Sequence, residues 1–275
     1  MKLQELTLDV LKDLYVNRKR SLQDIADLYG VSRVAVYKKL KQYGIQQRTK
    51  SEARLEAQKQ QKLPQQFFDI NEKFFDTWSS DMAYVLGLLF TDGCVSKAGT
   101  VALSINDLDL LEAVRLAMQS THKIELSKHQ KNLYVFHFAR ENMVQRLNEL
   151  GLVPNKSLTV KFPDVPFEYV PDFLRGVFDG DGSVFFDKRN RRAQLVSTFV
   201  SGSQCFMIAL ENNLNKLGLP RRKMYKHETK NGYSYTIAYG HKDSMRLFSI
   251  LYGNIENGIF LKRKYERFLK GIKRS

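Results

Sequence analysis

Two stretches of the chain end in the same way. Tyr84–Val95 reads YVLGLLFTDGCV and Phe173–Val184 reads FLRGVFDGDGSV, so Asp92-Gly93 and Asp181-Gly182 lie 89 residues apart. Each acid follows a glycine by five residues, Gly87 in the first stretch and Gly176 in the second. The apolar runs read as helices, which places each aspartate at a helix C-terminus. An acid there meets the negative end of the helix dipole, at a cost of about 0.3 kcal/mol or more. A second carboxylate beside it adds to the cost. A hard divalent cation reverses the sum, because it takes carboxylate and backbone carbonyl oxygens together. The carbonyls of Thr91 and Gly180 fall at the same helix ends and are further candidate ligands. Two such ions beside a phosphodiester activate a water and stabilise the leaving oxygen. The expected cofactor is therefore Mg²⁺, with Mn²⁺ as a substitute.

A single Asp-Gly pair is more simply a helix stop followed by a turn. What argues for chemistry is the duplication, because the same elements follow both copies. After the first, the pattern predicts a strand over Val101–Asn106, a helix over Asp107–Gln119, a hairpin of Lys123–His129 with Leu133–Phe138, and a helix over Glu141–Leu150. After the second it predicts strands over Val184–Asp187 and Arg192–Val200, a helix over Ser203–Leu217, a hairpin of Met224–Thr229 with Tyr233–Tyr239, and a helix over Lys242–Tyr252. Gly87 and Gly176 lack Cβ atoms, so the two acidic helices are able to meet backbone to backbone. A pseudo-two-fold pairing of the repeats then sets Asp92 and Asp181 side by side.

The first part of the chain is different. Leu3–Asn17, Ser21–Tyr29 and Arg33–Tyr43 read as three helices, with Ser21 and Ser32 as N-caps and Gly30 as the turn. Leu22–Leu40 resembles a helix-turn-helix. Ala26 sits at the helix crossing, and Ile25, Val31, Val36 and Leu40 face inward. Ser32, Arg33, Val34, Tyr37 and Lys38 are left on the outer face of the second helix, with Lys41 beyond them. The next stretch, residues 47–66, has few large apolar residues and reads as a linker. The expected divisions are 1–46, 47–66, 67–166 and 167–275. The fold class is α+β, a pair of repeats preceded by an all-α unit.

Composition narrows the function. Lys and Arg number 44 against 29 Asp and Glu, a net charge of +15, which suits a polyanionic partner. The basic residues gather at Lys38–Lys41, Lys188–Arg192, Arg221–Lys226 and Lys262–Arg274. Two cysteines, Cys94 and Cys205, provide neither a disulfide framework nor zinc spacing. The five histidines show no metal spacing either. The first residues are amphipathic rather than a secretory signal, and no apolar run approaches the roughly 20 residues of a membrane span. The expectation is a cytoplasmic protein of bacterial or phage origin, with no membrane contact.

The paired segments resemble the motifs of the LAGLIDADG homing endonucleases. Val85–Gly93 (VLGLLFTDG) and Leu174–Gly182 (LRGVFDGDG) lie on that nonapeptide, and the resemblance runs over residues 76–270. Asn155–Ser157 and Leu261–Phe268 are similar to the closing segments of its αββαββα repeats. The first motif departs at Phe90, where an acid is common, whereas Asp179 keeps it. The resemblance implies that Asp92 and Asp181 are the catalytic metal ligands of a monomeric, site-specific double-strand DNA endonuclease. It further implies a saddle of two sheets gripping duplex DNA, with scissile phosphates across the minor groove. A lysine near those phosphates is also implied, with Lys156 and Lys262 as positional candidates. On the sheets, Lys123, Glu125, Ser127 and His129 alternate with Ile124 and Leu126, which puts the polar set toward DNA and the apolar pair toward helices. Arg192, Gln194 and Thr198 make a similar stripe, Ser234 and Thr236 add to it, and Lys188, Arg189 and Arg191 form a basic hairpin tip. The same fold joined to a helix-turn-helix also serves in transcription regulators and in RNA maturases. Retention of both acids favours cleavage. With no intein splicing block in the sequence, a free-standing protein borne by an intron or phage is expected, needing no protein partner.

Overall fold

A computed structural model describes residues 3–49, 52–53, 56–57, 60, 68–96, 98–128, 130–154, 158–188, 194–229, 232–255 and 258–273. The chain divides into two compact units, Met1–Phe67 and Phe68–Ser275.

The first unit holds α1 (Leu8–Leu11), which runs on as a π-helical turn over Lys12–Asn17, then α2 (Leu22–Tyr29) and α3 (Arg33–Gln42). The first helix starts at Leu8 rather than Leu3 because Thr7 caps it, accepting from the Val10 nitrogen. Leu6 and Leu11, at the two positions of a hydrophobic staple around that cap, are both fully buried. Ser21 and Asp24 form a reciprocal capping box at the start of α2, and Gly30 ends it at φ +59°. Ile25, Ala26, Val36 and Leu40 make the core with Leu6, Leu11, Tyr15 and Leu22. The chain after α3 stays on this unit: the Arg48 nitrogen donates to Tyr15 Oη at 2.9 Å, and Gln60 Nε2 donates to Lys19 O at 3.1 Å.

The second unit is two copies of one arrangement. The first copy is α4 (Ser80–Asp92), β1 (Gly93–Val95), β2 (Val101–Ile105), α5 (Leu108–Ala117), β3 (Ile124–Leu126), β4 (Tyr134–Phe138) and α6 (Glu141–Glu149). The second copy is α7 (Val170–Asp181), β5 (Ser183–Asp187), β6 (Gln194–Ser201), α8 (Gln204–Lys216), β7 (Met224–Thr229), β8 (Gly232–Tyr239) and α9 (His241–Tyr252), closed by α10 (Lys262–Ile272). Both sheets are four-stranded and antiparallel, in the orders β1-β2-β4-β3 and β5-β6-β8-β7. One face of each sheet lies on the core, as the alternation Val101, Leu103, Ile105 and Leu195, Ser197, Phe199 shows. The short strand β1 was not legible from the pattern, since three residues are too few to set a period.

A candidate two-acid site at paired helix ends

Helices α4 and α7 form the centre of the second unit. Met82 to Phe90 are all buried, as are Phe173 to Asp179. The helices touch at their glycines. A Cβ on Gly87 would stand 3.0 Å from Gly176 Cα and 2.9 Å from the Val177 nitrogen, and would overlap the Phe173 carbonyl oxygen. A Cβ on Gly176 would overlap the Tyr84 carbonyl oxygen. This contact aligns the two helices so that both acids come at the same end, as the final helical residues Asp92 and Asp181. A Cβ on Gly180 would overlap Thr91 Oγ1 and stand 2.8 Å from Asp92 Oδ2, so the Asp92 carboxylate lies against the last turn of the other helix. Asp92 is half-buried and Asp181 is exposed.

Glycines 93 and 182 do not use the left-handed region; their φ values are −85° and −70°. They are needed because the chain turns sharply from helix to strand, where a Cβ would press on the backbone of Leu89 or Phe178.

The two helix ends are finished differently. On α4, the Thr91 hydroxyl donates to Leu88 O at 2.9 Å. On α7, the buried ammonium of Lys264 shares its N–H groups, fewer than the acceptors they meet, among the carbonyls of Phe178 (2.6 Å), Asp179 (2.8 Å), Gly180 (3.2 Å) and Gly182 (2.5 Å). A cation is favoured at a helix C-terminus. Burial lowers the Lys264 pKa to about 8, against the opposing pull of Asp179, Asp92 and Asp181. Both acids therefore act on one buried lysine. Lys262, one of the two lysines that the resemblance implies near the phosphates, is exposed and lines a cavity with Asn106–Leu110, Tyr134, Phe260 and Leu261. Helical spacing in LKRKYERF contained the distinction, since Leu261, Lys264 and Phe268 share one buried face at i, i+3 and i+7.

Asp179, the acid that Phe90 replaces in the first motif, faces inward. It accepts from Tyr84 Oη (2.9 Å), Tyr252 Oη (2.8 Å) and the Leu261 nitrogen (2.8 Å). Burial raises its pKa, and these hydrogen bonds oppose the rise. Arg175, one turn earlier, donates to Ile259 O (3.1 Å) and Leu251 O (3.0 Å) and pairs with Asp172 at 2.7 Å. Together they hold the segment leading into α10, and so the helix that delivers Lys264.

The donor set suits a hard cation: two carboxylates at abutting helix ends, with main-chain carbonyls beside them. Among the described residues no group of three or more His, Cys, Asp or Glu side chains is placed to hold a metal ion. The candidate centre is therefore two acids plus backbone oxygen. The Thr91 carbonyl belongs to the α4 terminus, while the Gly180 carbonyl already accepts from Lys264.

The register assigns the open face of each sheet. In the second sheet Ser183 and Thr198 are partners, as are Asp187 and Gln194, and Thr236 pairs with both Val200 and Tyr225. Ser234 pairs with His227. Gln194, Thr198, Ser234 and Thr236 thus share one face with Ser183, Phe185, Tyr225 and His227, which the sequence reading missed. Lys226 Nζ lies 3.6 Å from the centre of the Tyr233 ring. In the first sheet Glu125 shares its face with Val135, Ser104 and, further along, His137 and Cys94. Leu126 pairs on the helix side with Tyr134 but is 60% exposed at the end of an edge strand, where packing against helices was expected. Lys123 and Lys188 are exposed and Ser127 half-buried. His129, Lys156, Arg189, Arg191 and Arg192 lie outside the described residues.

In the first unit Ser32, Arg33, Val34, Tyr37, Lys38 and Lys41 are all exposed along α3, and the Ser32 hydroxyl caps that helix by accepting from the Ala35 nitrogen at 3.1 Å. Among the described residues no helix is long and apolar enough to cross a membrane.

Comparison with known proteins gives two family matches. Residues 168–272 match a model described as LAGLIDADG-like domain, and residues 8–82 match one of helix-turn-helix proteins, YlxM / p13 like. A protein of Methanocaldococcus jannaschii named "Probable translation initiation factor IF-2" is 27% identical over 223 residues, 77% of this chain. The chain spans only 18% of that relative's length. Similar solved structures include meganuclease I-SmaMI bound to uncleaveable DNA, at 12% identity and a TM-score of 0.46, covering 69% of this chain and 88% of that one. Another is the N-terminal LAGLIDADG domain of DUF199/WhiA, at 13% identity and a TM-score of 0.44, covering 66% of this chain and 87% of that one.

Proposed function

Because residues 168–272 of the chain form a LAGLIDADG-like domain, we propose that the protein is a divalent-metal-dependent endonuclease that cuts both strands of duplex DNA at a specific site. The observation that carries this reading is the abutting of two acid-bearing helix ends. Each repeat contributes one carboxylate, so one chain completes the site without a second copy.

Asp92 and Asp181 would hold the divalent cation, Mg²⁺ or Mn²⁺, which when bound would supply Lewis acidity. The chain's own residues do the rest. Gly87 and Gly176 fix the separation of the carboxylates. Lys264 ties four carbonyls at the end of α7, sets the direction of Asp181, and places positive charge behind the reacting phosphate. The open faces of the two sheets, with Lys123, Glu125, Ser127, Gln194, Thr198, Ser234 and Thr236, meet the groove, and Lys188 reaches the backbone. The exposed face of α3, with Arg33, Tyr37, Lys38 and Lys41, is a second DNA contact on the same chain, which raises the effective affinity.

The test is linearisation of plasmids carrying a randomised target library, run with Mg²⁺, with Mn²⁺ and with EDTA. Double-strand products at a defined sequence, present with either metal and absent with EDTA, are the expected result. Tight, sequence-specific binding with no cleavage under any divalent ion would overturn the catalytic reading and leave a DNA-binding regulator.

A second expectation concerns Lys264. Replacing it with Met keeps the apolar stem and removes the ammonium from four carbonyls. Hydrogen bonds to charged groups contribute about 1.5–3 kcal/mol, and unpaired buried acceptors are costly. A loss of about 3 kcal/mol in denaturant unfolding is expected, with single-turnover cleavage falling roughly tenfold under conditions where the variant is folded. Lys262→Met is expected to change neither by as much, and equal effects of the two variants would show that Lys264 has no special place.

A further inference from the structure

The segment following α3 is built into the exposed face of the N-terminal unit. Gly44 turns the chain at φ +68°, and the Ile45 nitrogen donates to Leu40 O at 2.9 Å while its side chain packs on the core. Arg48 then fastens the chain from the other side. Its main-chain nitrogen donates to Tyr15 Oη, its Nη1 donates to Lys19 O at 3.0 Å, and its Nη2 donates to Arg20 O. The guanidinium also stacks on the Tyr15 ring, 4.2 Å from its centre. These carbonyls belong to the turn between the first two helices, where Lys19 holds φ +54°. Gln46 and Gln47, between the two anchors, are exposed. Gln47 lines an open cavity of about 310 Å³ with Leu22, Arg33, Val34 and Tyr37. It therefore stands beside the residues that α3 presents outward.

We propose that Ile45–Thr49 is an arm of the DNA-reading surface and that Gln47 is a specificity-determining residue, reading a base edge next to those met by Arg33 and Tyr37. This rests on the reading of the helical unit as a DNA-binding module. A carboxamide offers one donor and one acceptor side by side, which matches the N6 and N7 positions of adenine in the major groove. Anchors on both sides hold it in place before DNA arrives, so little ordering is left to oppose binding. The positive charge of Arg33, Lys38 and Lys41 on the same face fits a phosphate-lined groove.

The test uses the full chain in EDTA, where cleavage is off. Duplexes are selected from a randomised library, and Kd is then measured for the best sequence and each single-base-pair variant of it. Wild type is expected to prefer adenine at one position. Gln47→Ala should reduce that preference about tenfold, leaving neighbouring positions unchanged. Gln47→Glu should move it toward cytosine, whose N4 donates to a carboxylate. Arg48→Ala should weaken the same preference by releasing the arm. If Gln47→Ala keeps the whole profile while Arg33→Ala alters it, the arm is refuted and DNA reading by α3 stands. If neither variant alters the profile, the module reading fails and the arm fails with it.

Discussion

Replacing Asp92 or Asp181 with Asn is expected to remove double-strand cleavage while leaving DNA binding within a few-fold of wild type. Asparagine keeps the shape of each side chain and removes its charge. The proposed site then keeps one of the two carboxylates that would hold a divalent cation, and the Lewis-acid stabilisation such an ion would supply amounts to several kcal/mol of barrier. About 4 kcal/mol corresponds to roughly a thousandfold in rate. Stability should change little. Each aspartate ends a helix at the negative pole of its dipole, so neutralising it relieves about 0.3 kcal/mol or more in the metal-free protein, while the same change removes the attraction of that carboxylate for the buried Lys264 ammonium. A site kept for catalysis has this signature: rate lost, melting temperature held. Single-turnover cleavage, binding in EDTA and thermal unfolding of the same preparations read all three. Wild-type cleavage by either variant would end the two-acid mechanism, and joint loss of binding and stability would reduce the acids to a structural role.

The legible part of this molecule was the part that repeats. Two glycines and two aspartates at matched offsets were enough to pair α4 with α7, and alternating burial placed Gln194, Thr198, Ser234 and Thr236 on one sheet face. What escaped was fixed by contacts distant in sequence. Lys264 lies 83 residues from Asp181, and only the packing of α10 on α7 decides that it, rather than Lys262, points at the helix end. Asp179 keeps the motif acid that Phe90 lacks, but its partners were not readable from the pattern: it joins Tyr84 of the first repeat to Tyr252 and Leu261 of the second. Phe90, in the matching position, packs instead against Phe173, with ring centres 5.5 Å apart. The halves are thus unequal at their centre as well as at their edges: α4 is apolar throughout its buried length, and α7 carries a buried arginine and aspartate. An asymmetric centre of this kind suits an asymmetric DNA sequence, because the two acids need not be presented identically. The segment after α3 was obscure for a further reason. Its composition is that of a linker, and a single arginine, through hydrogen bonds to two carbonyls and stacking on Tyr15, is enough to hold its first residues in place.

Adding one methyl group at Gly176 is expected to be more damaging to the fold than any change to the acids. The new Cβ would overlap the Tyr84 carbonyl oxygen and stand 3.0 Å from both Gly87 Cα and the Leu88 nitrogen. All three are backbone atoms of the opposing helix, so no side chain is available to rotate away. The helices must separate along their length, which opens gaps among residues such as Tyr84, Leu88, Phe173 and Val177 that are now at most 2% exposed. Overpacking a core usually costs about 1–3 kcal/mol where neighbours are able to adjust. Lost packing from separation adds a cavity term of about 24 cal/mol per Å³. Their sum, on the order of 5 kcal/mol, is comparable to the whole stability of a typical domain. The Asp92 carboxylate, which now lies against Gly180, would also move away from the second helix end. Gly176→Ala should therefore lower the denaturant midpoint steeply and abolish cleavage, and the same change at Gly87 should do likewise. Gly218→Ala supplies the contrast. Gly218 sits at φ +95° with nothing within 4 Å of the place a Cβ would take, so its cost is conformational strain alone, on the order of 1 kcal/mol. If the three variants unfold alike, close approach at the helix crossing is not what fixes the spacing of the two acids.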